Sequence, residues 1–136
     1  MKTKTILILL AAVSLFACKE EEFYTYEQFR ITNDTQHELA ASFDGVEHIA
    51  QPSEEIVITI ARRDYEYTRV QQEDFPNIVS RLSIFRNTDS GKVYLAKEEY
   101  ENVFQWGLFS SYNNTSGEKY NEVGYAITIT EDMFIP

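Results

Sequence analysis

One pattern limits the fold of this chain more than any other: short stretches in which apolar and polar residues alternate every second position, separated by turn residues. Alternation with a period of two is the mark of a strand with one buried face. Phe29 and Ile31 alternate with Arg30 and Thr32, and Asn33-Asp34-Thr35-Gln36 then reads as a turn. Leu39, Ala41 and Phe43 repeat the alternation and lead into Asp44-Gly45, a strong hairpin signal, with Val46 to Ile49 as the returning strand. Ile56 to Ile60 is rich in β-branched residues, and its near-continuous apolarity predicts a central strand. Ile78 to Phe85 reads as the next strand, followed by the Asn87–Gly91 hairpin loop and a return through Val93 and Leu95. Tyr120 to Thr130 closes the series, with Val123, Tyr125, Ile127 and Ile129 on one face and a turn over Thr130–Met133.

Three stretches are less regular. Residues 62–77 are polar and read as a long connection, either with one helical turn or with an edge strand around Tyr65 and Tyr67. In Lys97–Phe109, Tyr100, Val103 and Phe104 have helical spacing, yet strand plus loop is the preferred reading. Tyr112 to Gly117 reads as a loop. About seven short strands at even spacing predict an all-β domain, a small sandwich of immunoglobulin-like or related kind, with a small barrel as the alternative.

The N-terminus carries an address. Met1-Lys2-Thr3-Lys4 is basic, and an uncharged, mostly apolar run follows from Ile6 to Phe16. As a helix that run covers roughly 16 Å, about half of a bilayer core, so it is too short for a stable span and has the form of a secretory signal. Leu15-Phe16-Ala17-Cys18 resembles the lipobox of bacterial lipoproteins. The resemblance implies cleavage before Cys18, removal of residues 1–17 and diacylation of the Cys18 thiol. Cys18 is the only cysteine, so no internal disulfide can form. Phe16 is larger than the small residue often found at its position.

Lys19-Glu20-Glu21-Glu22 resembles the export signal that carries lipoproteins of Bacteroidetes to the outer face of the outer membrane. The expected organisation is therefore a signal peptide over 1–17, a lipidated acidic tether over 18–25 and a β-domain over 26–136. The rest of the chain resembles small, uncharacterised β-sandwich lipoproteins of Bacteroidetes. That likeness rests on Phe-Arg-Ile-Thr-Asn-Asp-Thr from Phe29, Asp-Ser-Gly-Lys-Val-Tyr from Asp89 and Tyr-Ala-Ile-Thr-Ile-Thr-Glu-Asp from Tyr125. It implies a sandwich and no activity.

Losing Lys2 and Lys4 with the signal would take the basic count from 12 to 10 against 22 acidic residues, a net charge of −12. Such a surface repels phosphate backbones, which argues against nucleic acid as a partner. Nine Tyr, nine Phe and one Trp supply core volume and argue against disorder.

The sequence holds no catalytic or metal-binding motif. His37 and His48 flank the Asp44-Gly45 hairpin, where register places His48 opposite residue 41 and offsets the pair by about 13 Å at strand rise, too far to share one metal. No EF-hand, phosphate loop or dinucleotide fingerprint occurs, and no cofactor is expected. The aromatics remain. Trp106, Tyr112, Tyr120, Tyr65 and Tyr67 lie in or beside the expected loops and are the candidate binding residues, with core packing as the competing role, favoured for Trp106. The functional expectation is a non-enzymatic, membrane-anchored lipoprotein that binds a protein or glycan. An inhibitor or accessory subunit docking on a basic protein is the alternative, and an enzyme of unknown class stands third.

Overall fold

The computed structural model describes residues 23–63, 73–115 and 118–135. Among the described residues eight strands form two four-stranded sheets. The first has the order β4-β1-β8-β7, built from β4 (Glu55–Arg63), β1 (Phe23–Asp34), β8 (Glu118–Thr130) and β7 (Gly107–Thr115). The second has the order β3-β2-β5-β6, built from β3 (Val46–Ala50), β2 (Leu39–Phe43), β5 (Leu82–Thr88) and β6 (Gly91–Tyr94). Among the described residues there is one short α-helix, α1 (Phe75–Val79), which falls between β4 and β5 in chain order. The molecule is thus an all-β sandwich, and the two open sheets exclude the barrel alternative.

The inward faces mesh as the alternation requires. Phe29 and Ile31 of β1, Ile56 and Ile58 of β4, and Tyr125, Ile127 and Ile129 of β8 meet Leu39, Ala41 and Phe43 of β2 and Leu82 and Ile84 of β5 in one buried cluster. The Asp44-Gly45 hairpin forms in the expected register, with Ala41 opposite His48. Its two turn residues take positive φ angles of 52° and 81°, which suits the twist of a two-residue hairpin. Asn33 fixes the crossing from one sheet to the other. Its buried amide donates to the carbonyls of His37 (2.8 Å) and Ala50 (3.0 Å), and its oxygen accepts from the Thr35 amide and hydroxyl.

Several elements differ from expectation. β1 begins at Phe23, inside the segment read as tether, because pairing with β4 and β8 on its two sides recruits Tyr24 and Thr25. Ile56–Ile60 lies in β4, which is an edge strand among the described residues rather than a central one. Its outward residue Val57 is 42 % exposed, so the β-branched run buries a single face. Ile78 and Val79 belong to α1, which starts at Phe75-Pro76, and β5 begins only at Leu82. The helical turn expected in 62–77 is met only at its end, since α1 takes Phe75–Asn77 of that range and continues through Val79, whereas the edge strand proposed around Tyr65 and Tyr67 lies outside the described residues. Lys97–Phe109 holds two 3-10 turns, Lys97–Glu99 and Val103–Gln105, before β7 starts. The expected loop from Tyr112 is strand as far as Thr115, because Asn113 and Asn114 pair with Tyr120 and Lys119.

Glu131, in the final 3-10 turn Glu131–Phe134, ties the sheets together. It accepts from the Gln36 amide (3.0 Å) and pairs with Arg86 of β5 (2.9 Å). The Gln36 amide, then Arg86, hold its carboxyl below the usual carboxylate range. This contribution to stability is present above the unfolded value of 4.5 and is lost as pH falls through the lower folded value.

Candidate binding cleft

A cleft of about 470 Å³ opens between α1 and the segment that carries the two 3-10 turns. Phe75, Pro76 and Val79 form one wall, and Tyr100 and Val103 the other. Ser80, Lys97, Glu101 and Asn102 stand at its rim. Its volume falls in the range of about 300–1,000 Å³ usual for small-ligand sites.

Both walls are tied to the core. The Phe75 ring packs on Tyr125 at 4.9 Å and on Phe29 and Trp106 at 6.0 Å, and this anchors a helix too short to persist alone. On the facing segment the Asn102 side chain accepts from the Phe104 amide (3.0 Å), while the Gln105 side-chain oxygen accepts from the Asn102 amide (2.9 Å). Gln105 also donates to the Glu98 carbonyl (2.7 Å), which joins the two 3-10 turns. Tyr100 is held at both ends: its hydroxyl donates to the Leu82 carbonyl (3.3 Å), and its own carbonyl accepts from the Trp106 indole (2.7 Å). Burial raises the Tyr100 pKa, so its hydroxyl stays protonated at neutral pH and remains a hydrogen-bond donor.

The cleft therefore offers an apolar floor, a polar rim with one cation and one anion, and fixed geometry. His37 lies beside Glu131 (3.9 Å) and His48 on β3, so neither imidazole contributes to it. Among the described residues no group of three or more His, Cys, Asp or Glu is arranged to hold a metal ion.

The sequence-selected aromatics do not converge here. Trp106 is buried, 5 % exposed, and packs at 5.0 Å on Phe29, so it backs the cleft as core and is not an open binding platform. Tyr112 is exposed on β7, and Tyr120 is half-buried on β8. Tyr65 and Tyr67 lie outside the described residues, as do Cys18 and the Lys19-Glu20-Glu21-Glu22 segment. Phe75, Tyr100 and Val103, which do line the cleft, were not singled out as binding residues. The helical spacing of Tyr100, Val103 and Phe104 was the available signal. It marks the 3-10 turns that point Tyr100 and Val103 inward and leave Phe104 82 % exposed. No protein-family model, curated protein or solved structure matches the chain.

Proposed function

We propose that this chain is a non-enzymatic lipoprotein, held at the outer membrane by lipid on Cys18 and facing the cell exterior, that binds a neutral glycan in the cleft between α1 and the 3-10 turns. The cleft carries the reading. A sugar ring has an apolar C–H face and an edge of hydroxyls, which match the accessible apolar surface of Pro76 and the half-buried Val103, backed by the buried Phe75, Val79 and Tyr100, and the rim of Ser80, Lys97, Glu101 and Asn102. A protein partner would need roughly 800 Å² on each side, more than a cleft of this size supplies alone. The excess of acidic residues, 22 against 12 basic, disfavours polyanionic ligands. The address rests on the signal-like N-terminus, the Leu15–Cys18 lipobox and the acidic residues after it.

Two measurements test this. Cys18→Ala should abolish incorporation of an alkyne fatty acid and leave the precursor uncut, whereas protease added to intact cells should cut the wild type. Equal labelling of the two proteins would sink the anchor. For the cleft, the lipidated protein purified in detergent should show saturation transfer to short neutral oligosaccharides. Ser80→Trp, a bulky side chain at an exposed rim position, should remove that transfer with little change in melting temperature. Undiminished transfer would place the sugar elsewhere, and no transfer to any sugar would end the glycan reading.

A further inference from the structure

At the end of the first sheet where β1 begins, tyrosine and arginine side chains gather on the outward face. Tyr24 and Tyr26 project from β1, and Tyr120 stands beside Tyr24 on β8. The rings of Tyr26 and Tyr120 meet edge to face at 5.6 Å. The guanidinium of Arg62 on β4 lies 4.0 Å from the centre of the Tyr24 ring and 6.0 Å from that of Tyr26. The three tyrosines are half-buried and Arg62 is exposed. None of them contributes to the core cluster or to the cleft.

The chain that precedes the cluster decides what it can face. Phe23, the first residue of β1, follows Cys18 by five positions, which even fully extended span only about 18 Å. With lipid on Cys18 seated in the bilayer, the start of β1 cannot leave the neighbourhood of the headgroup layer. β1 and β8 are parallel, so the beginnings of both strands share this end of the sheet, and the last residues of the antiparallel β4 and β7 join them. The cluster is thus the part of the outer sheet face that a short tether brings to the membrane.

Its chemistry suits that place. Tyrosine combines an apolar ring with a hydroxyl and concentrates where bilayer meets water. A guanidinium over a ring can still turn its N–H edge toward a phosphate. The nearby carboxylate of Glu122 is paired with Arg30 at 2.7 Å and with the Asn113 amide at 3.0 Å, which reduces repulsion of headgroup phosphates. Glu118, exposed at the start of β8, adds a negative charge at this end, and Lys119 follows it.

We propose that Tyr24, Tyr26, Tyr120 and Arg62 form a membrane-docking face that lays the outer side of this sheet end against the phospholipid headgroups. The proposal rests on the lipid anchor at Cys18. The test is hydroxyl-radical footprinting of the full lipidated protein in phosphatidylcholine vesicles, compared with the unlipidated chain of residues 19–136 free in solution, after mass spectrometry of the residue-18 peptide of the lipidated protein. Tyr24, Tyr26 and Tyr120 should become protected several-fold in the vesicles. Tyr94, 60 % exposed on β6 of the second sheet, should react equally in both samples. Arg62→Ala should weaken the protection of Tyr24 and Tyr120 without releasing the protein from the vesicles. An unacylated Cys18 would overturn the anchor and the docking together. An acylated, vesicle-bound protein whose cluster tyrosines react as in solution would overturn the docking alone.

Discussion

Gly124→Ala should remove a large part of the stability of this protein. Gly124 lies in β8, paired with Gln28 on one side and Phe109 on the other, at the centre of its sheet. Its φ is +154°, a conformation that residues with a side chain rarely adopt. A Cβ there would stand 1.9 Å from the Gln28 carbonyl oxygen and 2.9 Å from its carbon. Those atoms are backbone of the neighbouring strand, so no side-chain rotation relieves the clash. The two central strands would have to part where their pairing is continuous. Overpacking and positive-φ strain together cost about 2–6 kcal/mol. The whole margin of a domain is roughly 5–15 kcal/mol. Urea unfolding of the two proteins measures the difference, and a loss below about 1 kcal/mol would show that the close approach of β1 and β8 is not as tight as described.

Trp106→Ala should cost about 3–5 kcal/mol, the range for deleting a large buried aromatic. The indole fills the space between Phe29 (5.0 Å) and Phe75 (6.0 Å), and its N–H holds the Tyr100 carbonyl at 2.7 Å. The deletion would open a cavity and strand a buried acceptor, and it would release one wall of the cleft. As the only Trp of the chain, it should emit in the blue and resist quenching by acrylamide. Red, readily quenched emission, with stability unchanged in the Ala variant, would show that the residue faces solvent.

What the sequence by itself determined is local. Alternation marks the buried faces of β1, β2 and β8, because the strand period is a property of the chain at each position. Asp44-Gly45 sets the β2–β3 register, because a two-residue turn leaves one way for its flanks to pair, and that register also separates His48 from His37. What the tertiary structure decided depends on neighbours distant in the chain. Ile56–Ile60 reads equally well as central or edge, and only the absence of a further described strand beyond β4 distinguishes them. Tyr24-Thr25 and Asn113-Asn114 carry no strand pattern of their own and extend because β1, β7 and β8 complete their hydrogen bonds. The candidate cleft joins α1 to residues about twenty positions later, held by contacts to Trp106 and Leu82 that no spacing announces. Gly124 is the clearest case. It is an ordinary glycine until β1 is laid beside it, because the cost of a side chain there arises from another strand's backbone.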